Sequence, residues 1–306
     1  MSQPLATSTT LVDALNADPD YTSLLRLFQR TRLIPTLNKL NGSTLFAPTN
    51  DAIKHHSLRN PLWLAALEGT TALTDNIQER LRQQLFYHLL NESLPSPPSP
   101  GSVPFYKTLL YPRKPLDSPT HEPPPYPPWM PIPNGTLGSE PQRLRLAARG
   151  DKVHVAVDAL GKGGAMVVKD VHDAGNGILL GINKIIEPPA DLGTQSVSFV
   201  HENFTDFILA TVISQQASVS YFQKVMTPEI MDRLNSSSRL TLFFPVDEAW
   251  NKLDPIERLY LESKFATDDL HRILDMHAVI EDGVIWSDSF DAGLNCKTQY
   301  ALTAAR

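Results

Sequence analysis

Two of the nine histidines occupy equivalent places in two similar segments, and they are the first candidates for chemistry. His88 lies near the end of DNIQERLRQQLFYHLL, and His277 lies near the end of TDDLHRILDMHAVI. An imidazole beside an acidic partner could act as the general base of a hydrolase. Each histidine also ends an apolar stripe at helical spacing, formed by Leu81, Leu85 and His88 and by Leu270, Leu274 and His277. A histidine on such a stripe is more often a buried core residue, and we expect that role for both.

Other signals for chemistry are weak. LGKGGA (160–165) lacks the Gly-Lys-Ser/Thr ending of a phosphate-binding loop, and RGD (149–151) between two apolar runs is typical of a tight turn. His55 and His56 are adjacent, so on a helix they point in different directions and are poor co-ligands for a metal. The sequence has no His-Glu-x-x-His, no Gly-x-Ser-x-Gly and no pair of cysteines. It therefore predicts no catalytic residue, no metal site and no cofactor.

A short segment that could position the two histidines occurs twice. STLFAPTNDAI spans residues 43–53, and LTLFFPVDEAW spans residues 240–250. In each copy a Thr-Leu-Phe run predicts a buried strand, which ends at a proline because proline lacks the N–H that a strand ladder needs. Asn50 and Asp247 follow as expected N-caps, each with an acidic residue after it in the first helical turn. Each copy therefore predicts a strand, a sharp break and a capped helix.

The order of elements recurs at a distance of about 190–197 residues, which indicates a duplicated domain. Amphipathic helices precede each copy of the strand, and a helix that ends in histidine follows it. After His88 the first copy continues as strands in RLRLAA, KVHVAVD, GAMVVKDVH and GILLGINKII, with Asn176-Gly177 as a hairpin signal. Helices followed by strands predict the α+β class.

These motifs resemble those of the fasciclin-like domain family. TLFAPTNDAI resembles the family's N-terminal box, the pair Tyr87-His88 its Tyr-His motif, and NGILLGINKIIEPP its closing box. The resemblance implies tandem domains, each with a helical N-terminal half packed on a small twisted β-sandwich or wedge, and a histidine that is structural. The motif residues, expected to serve structure or interaction, are Thr44, Phe46, Pro48, Asn50, Asp51, Tyr87, His88, Thr241, Phe243, Pro245, Asp247 and His277.

The resemblance and the composition divide the chain into two expected domains. The first covers residues 8–188 and contains a proline-rich insert, 94–142, which suggests a fungal type of the family. More than half of the chain's 26 prolines fall in this insert, which predicts coil or polyproline II. We favour a rigid loop over a ligand for an SH3- or WW-type groove. A linker, 189–196, leads to the second domain, 197–306, which is expected to be C-terminally incomplete because it lacks the closing box.

Composition narrows the partners and the compartment. A net charge of −6 does not suit a nucleic-acid binder, and the apolar runs are too short to span a membrane. We expect membrane association only through regions outside this chain. The lone Cys296 favours a reducing compartment, but five Asn-x-Ser/Thr sequons favour the secretory pathway. The candidate glycosylation sites are Asn41, Asn91, Asn134, Asn203 and Asn235.

Two classes of function remain open at this stage. The resemblance implies a non-catalytic adhesion or binding module, secreted or at the cell surface, associated with a wall or matrix, or held in the vacuolar lumen. Its partners would be protein or glycan ligands at the cell surface or matrix. The alternative is a hydrolase-type enzyme that uses His88 with an acidic partner. A polar pocket that contains His88 would favour the enzyme, and a packed His88 with backbone partners would favour the module.

Overall fold

The computed structural model describes residues 9–68, 73–94, 96–112, 137, 139–158, 160–188, 221, 240–243, 245–279, 284–285 and 296–298. Contacts between Cα atoms divide the chain into two compact units. The first unit holds the described residues up to Tyr111 and those from Pro141 to Pro188, and the second holds those from Tyr221 onward. Each unit is an α+β fold of helices and small sheets.

The first unit begins with helices and ends with strands, in the order that the sequence predicts. Its helices are α1 (Leu11–Ala17), α2 (Thr22–Arg30), α3 (Ile34–Lys39), α4 (Asn50–Ser57), α5 (Pro61–Glu68) and α6 (Asp75–Tyr87). Its strands are β1 (Ser43–Pro48), β2 (Leu89–Leu90), β3 (Phe105–Lys107), β4 (Arg143–Arg149), β5 (Lys152–Val155), β6 (Ala165–Met166), β7 (His172–Ala174) and β8 (Gly177–Ile182).

Two four-stranded sheets form, in the orders β2-β1-β8-β7 and β3-β4-β5-β6. The repeated strand β1 is central: it runs parallel to β8 from Ser43 opposite Gly177 to Pro48 opposite Ile182, and every residue of it is buried. The chain passes from one sheet to the other just after β6, because Val167 N–H donates to β5 and Val168 N–H donates to β8. The core packs the helices against these strands, and its largest fully buried side chains are Trp63, Phe28, Phe46 and Phe86.

The described part of the second unit repeats the central elements of the first. It contains β9 (Thr241–Leu242), α7 (Asp247–Trp250), α8 (Pro255–Leu261), α9 (Thr267–Met276) and β10 (Ala278–Val279). Strands β9 and β10 pair in antiparallel fashion, as β1 and β2 do in the first unit. Trp250, Leu270 and Leu274 lie in its small core. The linker 189–196, the helices predicted between 203 and 234 apart from Tyr221, and most of the chain after 279 lie outside the described residues, so the predicted incompleteness stays a prediction.

The predicted N-caps are wrong by one residue. Thr49 caps α4, since its hydroxyl accepts the N–H of Ala52 at 3.3 Å, and Asn50 is the first helical residue. Val246 precedes α7 without a side-chain cap, and Asp247 is likewise the first helical residue. A cap was expected from residue type alone, but both side chains have long-range partners, which are described below.

The strand predictions differ from the structure at several places. GAMVVKDVH forms only β6 and the first residue of β7, and GILLGINKII is a strand only as far as Ile182. The predicted insert 94–142 contains β3, which pairs with the start of β4, while its stretch 113–136 lies outside the described residues. Strand β5 ends at Val155 rather than continuing through KVHVAVD, because Ala156 has a φ of 57° and turns the chain out of the extended conformation. The hairpin predicted at Asn176-Gly177 is confirmed between β7 and β8.

Candidate functional site

His88 is fully buried at the end of α6, and backbone groups occupy both of its ring nitrogens. Nδ1 lies 2.8 Å from the carbonyl oxygen of Gln84, one helical turn earlier. Nε2 accepts the N–H of Ile186 at 3.2 Å. Since Nε2 accepts, the proton must sit on Nδ1, which donates it to Gln84. A histidine without exposure and with two backbone partners has no route to a substrate.

Burial keeps this imidazole neutral. Desolvation lowers the pKa of His88 to about 4, and the hydrogen bond to Gln84 offsets only part of that shift. Protonation would place a donor at Nε2, where the N–H of Ile186 needs an acceptor. His88 therefore ties the chain that leaves β8 to the end of α6, and it does so only in its neutral form.

A second histidine contacts the same exit segment from outside. His56 on α4 packs edge-on against Trp63 on α5, with ring centroids 5.0 Å apart, and its Nε2 lies 3.6 Å from a carboxylate oxygen of Glu187. Trp63 donates its indole N–H to Gln84, whose backbone carbonyl is the partner of His88. His55, the neighbour of His56 in the sequence, is exposed, so the prediction that His55 and His56 point in different directions is confirmed.

His277 has the corresponding place in the second unit. It follows α9, and its Nδ1 lies 2.7 Å from the carbonyl oxygen of Ile273, four residues earlier. Its own carbonyl accepts the N–H of Phe243, as the carbonyl of His88 accepts that of Phe46, both at 2.9 Å. His277 is half-buried, so the core position predicted for it is reached only in part. In both copies the histidine joins the end of a helix to the repeated strand.

The threonine of each repeated strand forms hydrogen bonds with backbone groups that follow the histidine in the sequence. Thr44 is fully buried, donates its hydroxyl hydrogen to the carbonyl of Glu92 at 2.8 Å and accepts the N–H of Leu94 at 3.0 Å. Thr241 accepts the N–H of Ile285 at 2.9 Å. Each threonine thus fixes the segment that follows the short strand after the histidine.

Asn50 and Asp247 connect their helices to an earlier part of the chain. Asn50 accepts the N–H of Ser23 at 2.9 Å and donates to the carbonyl of Pro19 at 2.8 Å, which joins α4 to α2. Asp247 accepts the N–H of Tyr221 at 2.9 Å. In both units the side chain at the first helical position accepts a backbone N–H from an earlier part of the chain, although one side chain is an amide and the other a carboxylate.

A surface pocket of about 350 Å³ opens where α4 begins, and Asn50, Asp51 and His55 line it. Asp20 and Lys169 form another wall. The ammonium group of Lys169 lies 2.6 Å from Asp18 and 2.5 Å from Asp20. Although partial burial lowers the pKa of Lys169, its bonds to these carboxylates outweigh that effect and raise it. Lys169 is therefore a protonated ammonium group whose charge is balanced by two carboxylates, and it is not a reactive amine.

Both repeated segments fall within matches to the fasciclin domain, which cover residues 19–105 and 217–303. The chain belongs to the fasciclin domain family. Fasciclin domains are adhesion-type modules, generally non-enzymatic and typically extracellular or at the cell surface. The predicted tandem arrangement and α+β class are thereby confirmed.

A solved FAS1 domain pair from the insect cell adhesion molecule fasciclin I is 16% identical to this chain. The match covers 87% of this chain and 76% of that chain, with a TM-score of 0.33. The family assignment rests on the two domain matches.

The remaining motif residues of the first fasciclin domain are mostly inside. Phe46 and Tyr87 are buried, and burial raises the pKa of the Tyr87 phenol, whose hydroxyl lies 3.4 Å from the carbonyl of Arg143. In the second domain Phe243 is 42% exposed. Asp51 is exposed at the pocket. In the first domain, Asp51 and the half-buried Asn50 are therefore the motif residues most accessible to a binding partner.

Sequence reasoning missed a residue that holds the first fasciclin domain together. The side chain of Asn176 accepts the N–H of Leu11 at 2.8 Å and donates to the carbonyl of Leu37 at 2.8 Å. Its backbone carbonyl accepts the N–H of Gly42 at 3.1 Å. The sequence marked Asn176 only as a turn residue, because its three partners are distant along the chain.

Two of the five sequons are described, and both are exposed. Asn41 precedes β1 and Asn91 follows β2, so the antiparallel pairing of these strands places both asparagines at one end of the sheet. Asn134, Asn203 and Asn235 lie outside the described residues. Among the helices that the structure describes, none is long and apolar enough to cross a membrane.

Proposed function

We propose that this protein is a non-catalytic binding module of the secretory pathway that attaches to protein or glycan ligands at a cell surface, wall or matrix. Membership of the fasciclin domain family, with two copies, is the observation that carries the proposal. Residence in a vacuolar lumen is compatible with the same family and the same sequons.

The contacts of the motif residues favour a structural role for them over a catalytic one. His88 and Thr44 bond only to backbone groups of their own domain, and Asn50 bonds to backbone groups and to the hydroxyl of Thr22. The hydrolase alternative needed His88 in a polar pocket with a second titratable group. Because His88 is fully buried and hydrogen-bonded on both sides, the residues that recur are explained by folding, and nothing in their geometry favours the enzyme.

Two exposed sequons support the secretory route. Asn41 and Asn91 lie in open positions outside the strands that they flank, where an attached glycan would not disturb the core. The lone Cys296 does not conflict with this route, since a fasciclin domain here is held by packing and backbone hydrogen bonds.

Attachment of the purified full-length chain to cells or isolated wall material of its host tests the proposal. Beads coated with the folded protein should attach in a saturable manner, and beads coated with heat-unfolded protein should not. Equal attachment of the two, or no attachment to any host surface or matrix preparation, would contradict the binding role. Imaging of a tagged full-length protein in the host then separates the cell surface from the vacuole.

A further inference from the structure

The second sheet of the first domain has one apolar face and one basic face. On β4, Leu144 and Leu146 face the core, and residues at alternate positions face away from it. By the strand register, the positions of β3, β4 and β5 on the other face are occupied by Phe105, Lys107, Arg143, Arg145, Ala147, Arg149, Lys152 and His154. Ala147 is buried beside Gly161 of a following loop, so the cations lie on either side of it. The chain as a whole is acidic, so this face concentrates the opposite charge.

The cations follow a row along the sheet. Arg143 and Arg145 lie over the ring of Phe105, with guanidinium carbons 5.0 and 5.7 Å from its centroid. Arg149 lies at the far end of the same strand, about 20 Å from Arg143 at the usual rise per residue. Lys152 pairs with Arg149 across the hairpin and is exposed. A row of this length suits a linear polymer better than a single small ion.

Two loops add cations at the Arg149 end. The guanidinium of Arg149 donates to the carbonyls of Gly161 and Gly163, both at 2.8 Å, which places the exposed Lys162 beside it. Asn183 exchanges two hydrogen bonds with Met166, the cross-strand partner of His154, so the exposed Lys184 is close to His154.

His154 lies among these charges without a hydrogen-bond partner at Nδ1, although that atom is buried. Burial lowers the pKa of His154, and the charges of Arg149 and Lys184 lower it further, which agrees with their proximity. The carboxylates nearest along the chain are those of Asp151, in the turn, and Asp158, which accepts the N–H groups of Leu160 and Lys162. Positive charge therefore outweighs negative charge at this end of the face.

We propose that the end of this basic face, formed by Arg149, Lys152, His154, Lys162 and Lys184, binds an acidic polysaccharide that carries carboxylate or sulfate groups. The inference rests on the proposed binding function and names the chemistry of one ligand. Guanidinium and ammonium groups are suited to such anions, and their spread along strands matches anionic groups repeated along a sugar chain. Leu160 is 65% exposed in the same loop and makes an anionic membrane the main competitor. A single exposed leucine gives little insertion energy, and the row of cations extends away from it.

Immobilised heparin, as an acidic polysaccharide, and neutral dextran are the probes, with the full-length chain as the analyte. The test variant carries Lys152→Gln, Lys162→Gln and Lys184→Gln. The matched control carries Lys39→Gln, Lys54→Gln and Lys252→Gln, which are exposed lysines elsewhere. We expect salt-dependent binding to heparin, none to dextran, roughly tenfold weaker heparin binding for the test variant, and a change within about twofold for the control. Equal unfolding temperatures establish that both variants are folded.

Three outcomes would overturn the proposal: no binding of the wild-type chain to heparin, an equal loss in both triple variants, or tighter binding to phosphatidylserine vesicles that Leu160→Ser abolishes. The last would assign the face to a membrane. If heparin binding fails while beads still attach to host surfaces, the binding function stands and only its assignment to this face is wrong. If both fail, the proposed function is wrong as well.

Discussion

His88 joins the end of its own helix to a backbone N–H 98 residues further along the chain, and it can do so in only one protonation state. Nδ1 donates to Gln84 and Nε2 accepts from Ile186. The side chain is small, fully buried and amphoteric, which few other residues can imitate. Its recurrence as His277, with the same backbone bond one turn back, follows from this local geometry.

The first prediction concerns pH. The pKa of His88 falls from about 6.5 in the unfolded chain to about 4 in the folded one. The unfolded chain therefore takes up a proton first as the pH falls. The contribution of His88 to stability is complete above pH 6.5 and is lost progressively towards pH 4, by roughly 3 kcal/mol in total. Native-state hydrogen exchange of peptides from β1 measures this free energy.

The control for the pH effect is His88→Gln, which does not titrate. The unfolding free energy of the wild-type chain minus that of this variant should fall by roughly 2–3 kcal/mol as the pH is lowered from 7 to 4.5. His56 and His154 also have lowered pKa values, but they are present in both proteins and cancel in the difference. A difference that stays constant over this range would contradict a neutral, buried His88.

The sequence predicted the inward position of His88 but not what it binds. The stripe Leu81, Leu85 and His88 fixes the buried face of α6, since helical spacing is local information. The N–H of Ile186 is brought to Nε2 only after β8 has paired with β1. Asn50 shows the same limit, because residue type suggested an N-cap while its partner, Ser23, comes from another helix.

At the scale of elements, the parallel pair β1–β8 is the centre of the first domain. Its close approach depends on Gly177, where a Cβ atom would lie 2.3 Å from the carbonyl oxygen of Ser43. The six-residue register then carries Phe46 into the core and sets Pro48 at the strand end. Asn176, just before the strand, fixes α1, α3 and β1 at once.

The second prediction follows from this close approach. Gly177→Ala should lower the unfolding free energy of the first domain by about 2–3 kcal/mol, because the added methyl meets backbone that cannot move without breaking the register. Gly163→Ala is the control: its φ of +71° makes alanine strained, but nothing lies within 4 Å, and the expected loss is about 1 kcal/mol. Urea unfolding compares the two. A smaller loss at Gly177 than at Gly163 would contradict the tight β1–β8 contact.

Elements with strong local patterns were predictable, and those made by pairing were not. An apolar run predicts the strand at Thr44–Phe46, and the turn residues Asn176-Gly177 predict the hairpin. Strand β3 was missed because prolines surround it and only its pairing with β4 makes it a strand. The basic face was also missed. The alternation in RLRLAA is visible in the sequence, but the pairing of β4 with β5, which adds Lys152 and His154 to the same face, is not.

At the scale of the whole molecule, the second domain repeats the hydrogen bonds between equivalent elements of the first domain with different side chains. Asp247 replaces Asn50, and Met276 replaces Tyr87, while the backbone bond from Phe243 to His277 is kept. What is repeated is the connection between elements. That is the pattern expected when a domain is duplicated for its fold and its surfaces then diverge.

The third prediction concerns glycans. In the native host, at least one of Asn41 and Asn91 should carry an N-linked glycan, because both are exposed and lie outside the strands. Enzymatic deglycosylation in heavy-oxygen water followed by peptide mass spectrometry marks each occupied asparagine. Unmodified asparagine at both positions, in protein purified from the host, would contradict this prediction, and unmodified asparagine at all five sequons would contradict the secretory route.

The central claim is that the recurring histidine holds the domain together and does no chemistry, and the unfolding free energy of His88→Ala tests it most directly. The substitution leaves the N–H of Ile186 and the carbonyl of Gln84 without their partner and should cost about 1–3 kcal/mol, with His88→Gln losing less. Both variants should keep their attachment to host surfaces while folded. An unchanged unfolding free energy in both variants, together with a lost activity, would contradict the account.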